Sequence, residues 1–225
     1  MRESAYQIDR ERMVQNQLRR RGIVNELVLD AMLEVPRHRF VPAAYRNMAY
    51  SDAPLPIGFR QTISQPFIVA LMTQLLQLKG DERVLEVGSG SGYQAAVLSR
   101  IVSEVIGLER IPALAERSRR LLRELDYQNV RILEGDGSTG VDAAGQFDGI
   151  LVAAAAPQVP DPLKKKLVDG GRLVIPVGTR YSQILQCWER EGPRLACQTI
   201  APVAFVPLIG EYGWEENADP DTQSG

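Results

Sequence analysis

Residues 83–94 read RVLEVGSGSGYQ, and this stretch narrows the possible folds more than any other. A short apolar run, broken only by Glu86, has the length and β-branched content of a buried strand. Gly88, Gly90 and Gly92 then release the chain into a helix-like stretch. A strand running through a glycine turn into a helix is the first half of a βαβ unit, which needs a parallel neighbour to return to. The chain supplies neighbours: EVIGLE (104–109), VRILEG (130–135), FDGILVAAA (147–155) and RLVIPVG (172–178) read as strands. Helices are expected over 93–101, 112–125 and near 160–167. Such alternation predicts an α/β fold with a doubly wound, mostly parallel sheet. Segments 183–191 and 195–208 predict a hairpin around Gly192-Pro193, an antiparallel addition at one edge that brings the sheet to seven strands.

Ahead of the sheet, Val24, Leu27, Val28, Ala31, Met32 and Val35 recur at helical spacing, so residues 8–35 predict a helical extension. Residues 36–66, dense in proline and aromatics, predict an irregular segment or short strands. A connection that long inside a domain is often functional. A helix is expected over 66–78, with Pro66 in its first turn. The organisation expected is an N-terminal extension over 1–80, a core over 81–210, and a polar acidic tail over 211–225 that is disordered.

At 225 residues the chain suits one domain. Its net charge of −2 offers no basic field to draw it to nucleic acid. Charge is uneven: residues 1–21 hold six arginines against three acids, whereas 211–225 hold five acids and no base. One histidine and two cysteines leave too few ligands for a Cys/His zinc site and no disulfide framework. No run approaches the ~18 apolar residues of a membrane span, and no apolar stretch follows the N-terminal charges. A soluble cytoplasmic protein is expected, with no membrane partner.

In an open parallel sheet, ligands bind beyond the carboxyl ends of the strands, near the point where strand order reverses. Gly88, Gly90 and Gly92 lie just past such an end. Their spacing is not the dinucleotide fingerprint, because the third glycine comes one residue early. No Gly-Lys-Ser/Thr follows either, so a pyrophosphate is not favoured. Glu109, ending the next strand, is placed to accept from both hydroxyls of a ribose. Asp136, ending the strand after that, is placed to meet an adenine. An adenosyl group without phosphates fits all three features, and S-adenosylmethionine is the common cofactor of that description.

QTISQP (61–66), VLEVGSGSGYQ (84–94), GLER (107–110), EGDG (134–137), DGGRLVIPVG (169–178) and FVPL (205–208) carry a closer likeness, to which PRHRFVP (36–42) adds. Over about residues 10–210 the chain resembles the class I S-adenosylmethionine-dependent methyltransferases, which are Rossmann-like. More narrowly, it resembles the protein-L-isoaspartate O-methyltransferases. The resemblance implies methyl transfer to the free α-carboxylate of isoaspartyl residues in damaged proteins or peptides, whose ester then collapses to a succinimide. A carboxylate is already an anionic nucleophile at neutral pH, so no general base, metal or covalent nucleophile is required. The resemblance assigns cofactor binding to Thr62, Ile63, Ser64, Glu86, Gly88, Ser89, Gly90, Gly92, Glu109, Arg110, Asp136 and Gly137. It places Ser64 beside the reacting carboxylate as the catalytic residue, and a monomer is expected.

Alternatives stand beside several of these assignments. Ser64, two residues before Pro66, also suits a helix N-cap. Glu86 in a buried strand needs a partner, either the amino group of bound methionine or an internal cation. Phe67 stands where many members carry His or Tyr, so any hydrogen bond from that ring is lost. His38 reads as a packed or surface residue, Asp148 as structural. Arg37 and Arg39 either attract a substrate carboxylate or are solvated. Nucleic-acid methylation is disfavoured, since AAAAPQVP (153–160) lacks the Asn/Asp-Pro-Pro-aromatic motif and neither Cys187 nor Cys197 follows a proline. A small carboxylic acid acceptor and a non-catalytic binding module remain as competing readings.

Overall fold

The structure, a computed structural model, describes residues 2–141 and 145–216. Its N-terminal part opens with helix α1 (Arg2–Met13), which runs through a wider π turn at Val14–Leu18 and a tight turn at Arg19–Arg21. The helix expected over 8–35 is therefore broken. Gly22, at φ +92°, ends the first part in the left-handed region open to glycine. Asn25 starts the second part, α2 (Glu26–Glu34), by accepting a hydrogen bond from Val28 N at 3.3 Å. Val24, counted on the periodic face, lies in the break and is 73% exposed.

Residues 36–66 combine tight turns at Arg37–Arg39 and Ala43–Met48 with a small hairpin of β1 (Leu55–Gly58) and β2 (Gln61–Ile63). Helix α3 (Pro66–Leu75) follows and stops three residues short of the expected end.

The seven-stranded sheet comprises β3 (Arg83–Val87), β4 (Glu104–Glu109), β5 (Val130–Glu134), β6 (Phe147–Val152), β7 (Leu167–Gly178), β8 (Gln183–Glu191) and β9 (Arg194–Val203). Its order is β5-β4-β3-β6-β7-β8-β9, parallel from β5 to β7 and antiparallel at β8 and β9. The winding reverses at β3, which sits between β4 and β6. Helices α4 (Tyr93–Ser99), α5 (Pro112–Glu124) and α6 (Asp161–Lys165) connect the strands. β7 begins five residues earlier than the sequence suggests and takes in Asp169-Gly170-Gly171.

Strand alternation divides the interior between the two faces of the sheet. Val84 joins the core shared with α4 and the N-terminal extension, while Leu85 and Val87 join the core shared with Leu163 of α6. Each such side chain stabilises the fold by about 1.5–3 kcal/mol relative to exposure. Every residue of α4 is buried, because the extension covers the face a surface helix would leave in water. The start of the acidic tail is ordered: Trp214 Nε1 donates to Ala155 O at 3.1 Å, and Arg110 pairs with Glu216 at 2.6 Å. Residues 217–225, the remainder of the tail expected to be disordered, lie outside the described residues. No helix among the described residues is long and apolar enough to cross a membrane.

Candidate active site

The glycine turn sits where β3 ends, at the reversal of strand order. Gly88, Gly90 and Gly92 have φ of +84°, +52° and +83°, a conformation L side chains rarely adopt. Gly88 N and Ser89 N donate to Leu108 O, which ties the turn to the end of β4. Glu109 closes the same turn. One carboxylate oxygen accepts from Gly90 N and the other from Ile111 N, both at 2.8 Å. The residue expected to meet a ribose thus also holds the loop beneath it, and a carboxylate keeps lone pairs for further donors.

Three adjoining cavities meet here, and Thr62 and Ala153 line all of them. The first, about 100 Å³, lies over the ends of β3 and β4 between Gly88, Glu109, Arg110, Gly137 and Leu208. Gly137 must be glycine, since a Cβ there would stand 2.3 Å from Val87 Cγ1. Asp136 does not line this cavity. Its Oδ1 accepts from Ser138 N and Ser138 Oγ, and its Oδ2 accepts from Glu211 N at 2.7 Å, so it fastens the C-terminal segment.

The second cavity, about 40 Å³, is reached from the turn and bounded by Glu86, Ser89, Gly90 and Ser64. Glu86 is fully buried, and neither of its oxygens is hydrogen-bonded. Burial, with the Glu109 charge adding to it, pushes its pKa up to about 7. No internal cation pairs with it among the described residues, and the Ser89 hydroxyl beside it is the nearest side-chain donor, short of full hydrogen-bond geometry. A buried carboxylate bordering a cavity, with only the Ser89 hydroxyl and Ala95 N as weak neighbouring donors and no cation, suits a ligand that brings one. The amino group of S-adenosylmethionine is such a cation, and the phosphate-free turn and Glu109 suit its nucleoside, so the residues present fit that cofactor.

The third cavity, about 440 Å³, is mostly apolar and runs between the Ser64 segment and Pro202–Val206. Ser64 borders both it and the Glu86 cavity. Its hydroxyl bonds to no described residue, and the N-cap position of α3 falls to Gln65 without a side-chain bond. Asp52 serves that helix end instead: Oδ1 accepts from Phe67 N at 3.2 Å and Oδ2 from Gln65 Nε2 at 2.6 Å. Arg21 pairs with Asp52 and stacks 3.5 Å from the centre of the Phe67 ring.

The remaining candidates lie apart from the cavities. His38 is buried, stacked on Tyr6 at 4.1 Å and hydrogen-bonded to Tyr50 Oη at 2.8 Å; burial lowers its pKa. Arg39 faces solvent near Glu124, and Asp148 Oδ2 accepts from Arg83 N. Arg37 is neither solvated nor open to a substrate, being fully buried beneath the Ser64 segment. The sequence places the Ala153–Ala156 run near the cofactor edge without chemistry of its own, and Ala153 walls all three cavities; the C-terminal turn at 209–214 is the part that sequence reasoning missed. The FVPL stretch was the available signal, since Phe205 and Val206 face the large cavity and Val206, Pro207 and Leu208 the first one over β3 and β4.

Comparisons with known proteins agree with this geometry. Residues 9–213 match the family model described as protein-L-isoaspartate(D-aspartate) O-methyltransferase. A protein-L-isoaspartate O-methyltransferase from Methanoregula boonei is 52% identical over 207 residues, covering 92% of this chain and 95% of its own length. A solved protein-L-isoaspartate O-methyltransferase superposes with a TM-score of 0.83 at 29% identity, over 91% of this chain and 67% of the other. A Plasmodium falciparum structure described as the same enzyme, in complex with S-adenosyl-L-homocysteine, gives 0.76 at 29% identity, over 88% and 96%. The chain therefore belongs to the protein-L-isoaspartate O-methyltransferase family of S-adenosylmethionine-dependent enzymes.

Proposed function

We propose that the adjoining cavities divide one reaction, methylation of the free α-carboxylate of L-isoaspartyl residues, between a cofactor half and an acceptor half. The observation that carries the reading is the pair of unpartnered oxygens on buried Glu86, beside a glycine turn and within one wall of Ser64. Bound S-adenosylmethionine supplies an electrophilic methyl group on a positively charged sulfur.

Glu86, once ionised, holds the cofactor's ammonium group. The amides of the Gly88–Gly92 turn and the Ser89 hydroxyl surround its amino-acid end. Glu109 accepts from the ribose hydroxyls with lone pairs left free by Gly90 and Ile111. Arg110 and Gly137 flank the nucleoside, and Asp136 acts at one remove by fixing the backbone at Gly137 and the cover at 210–212.

On the acceptor side, Thr62 and Ile68 form the wall, while Ile63 lines the Glu86 cavity. Ser64 Oγ donates to one oxygen of the acceptor carboxylate and leaves the other aimed at the methyl group. Alignment of two reactants in a partly dried cavity is the main task, because neither needs proton transfer to react. Esterification of the isoaspartyl carboxylate prepares its collapse to a succinimide. Damaged proteins and peptides are the proposed substrates. Free thiols at Cys187 and Cys197 suit action in the cytoplasm, and a site built from one chain suits a monomer.

Radiolabelled methyl transfer to one synthetic peptide made in isoaspartyl and aspartyl forms tests the proposal. Label in the isoaspartyl form alone is expected. Equal labelling of both forms, or of neither, would overturn the acceptor assignment.

A further inference from the structure

Arg37 is the largest fully buried side chain and has no carboxylate partner among the described residues. Its Nε donates to Ala49 O at 2.8 Å and its Nη2 to Ser64 O at 2.7 Å. The guanidinium lies 4.8 Å from the centre of the Tyr93 ring, and Nη1 is buried without an acceptor. An interior cation held by two carbonyls and Tyr93, with the Asp52 charge as its only nearby anion among the described residues and no ion pair, is a costly way to fill space. An apolar side chain of similar volume would fill it better.

What Arg37 holds accounts for that cost. Residues 49–54 and 64–65 are irregular backbone flanking the β1–β2 hairpin, whose ladder ends at the Leu55–Ile63 pair, and beyond it they are joined by Gln65 Nε2 on Asp52 and by Arg37. Arg37 spans them with the two arms of one planar group. A lysine has a single ammonium on a flexible stem and cannot reproduce that fork. The carbonyl it grips belongs to the residue whose hydroxyl borders the acceptor cavity, so a shift of that peptide plane moves Thr62, Ile63 and Ser64 together.

We propose that Arg37 is a positioning residue for the acceptor half: through the carbonyl of Ser64 it sets the 62–65 segment against the acceptor carboxylate. The inference rests on the acceptor reading given above and extends it to a residue that touches no substrate.

The test uses Arg37→Met and the conservative Arg37→Lys in the full chain, the second guarding against a variant that fails to fold. Each is assayed for kcat and KM on the isoaspartyl peptide, for S-adenosylmethionine affinity, and for hydrogen exchange over 61–67 and 86–94. Displacement of a positioned group by an ångström can cost on the order of a hundredfold, so kcat/KM should fall at least about tenfold in both variants. Cofactor affinity should stay within about twofold, and exchange should quicken over 61–67 alone. Retained turnover in folded Arg37→Lys overturns the inference, as does a cofactor affinity that falls in step with turnover. Ser64→Ala measured alongside separates the two claims. Loss in the Arg37 variants with none in Ser64→Ala would discard the hydroxyl's role and keep the positioning role, and the opposite pattern would do the reverse.

Discussion

The cofactor half and the acceptor half of the site are built by different means. Glycines at positive φ and the ends of two paired parallel strands shape the cofactor half, and Glu109 at the end of β4 holds Gly90 of the β3–α4 turn and Ile111 of its own turn. The acceptor half is shaped by side chains that clasp irregular backbone with no strand ladder beneath it. Arg37 reaches Ser64 across 27 positions, Asp52 reaches Phe67 across 15, and Arg21 reaches Asp52 across 31. A pocket seated on the ends of paired strands tolerates change elsewhere. One made by side chains clasping irregular backbone depends on each clasp. The two halves should therefore fail separately.

The largest predicted effect sharpens the cofactor side. In Glu109→Gln the side-chain amide has one acceptor oxygen for two backbone donors, so it should damage the turn nearly as much as Glu109→Ala. Each orphaned donor costs about 1–3 kcal/mol, which predicts roughly 10- to 100-fold weaker cofactor binding by calorimetry. A Glu109→Gln variant with unchanged affinity would break the account of the turn. Gly137→Ala should come next, since its Cβ would collide with Val87. Overpacking of this kind costs about 1–3 kcal/mol, visible as a lowered midpoint in urea.

Glu86 offers a pH test. Its pKa, raised to about 7 by burial, means the folded apo protein favours the protonated form. That contribution to stability is fully present below the unfolded pKa of 4.5 and is lost as pH rises through about 7. Cofactor binding has the opposite slope, because an ammonium needs the ionised carboxylate. S-adenosylmethionine should bind about tenfold more weakly at pH 6 than at pH 8, a difference that Glu86→Gln should abolish. The smallest effect tests the acceptor side. Arg21→Ala removes a partly exposed ion pair and a stacking contact on Phe67, worth under about 1 kcal/mol, and acceptor KM should rise slightly with cofactor affinity unchanged.

The same contrast explains what could be read from residues alone. The strands from 83 to 191 stand close to where periodicity places them, because apolar runs bounded by glycine and charge are local signals. Gly22 and Asn25 also carried a stop and a start, but the apolar spacing from Val24 to Val35 outweighed them, and one long helix was expected in place of two. Glu86 was recognisable as a buried acid in need of a partner. That no cation among the described residues serves it required the structure. Asp136 was read from its place at a strand end, yet the C-terminal turn claims it, a contact across 75 positions that no spacing reveals. Arg37 read either as an attractor of the substrate carboxylate or as a solvated residue, and it is neither. Its burial follows from packing of the extension over α4, which is a tertiary fact.

Ser64→Ala gives the most direct test of the division into halves, with kcat/KM for the isoaspartyl peptide and the S-adenosylmethionine dissociation constant measured on the same preparation. Loss of one hydrogen bond to a charged acceptor, about 1.5–3 kcal/mol, predicts a roughly 10- to 100-fold fall in kcat/KM. The cofactor constant should stay within about twofold of the parent. A parallel fall in both would show that the cavities act as a single pocket, and undiminished turnover would remove Ser64 from the reaction.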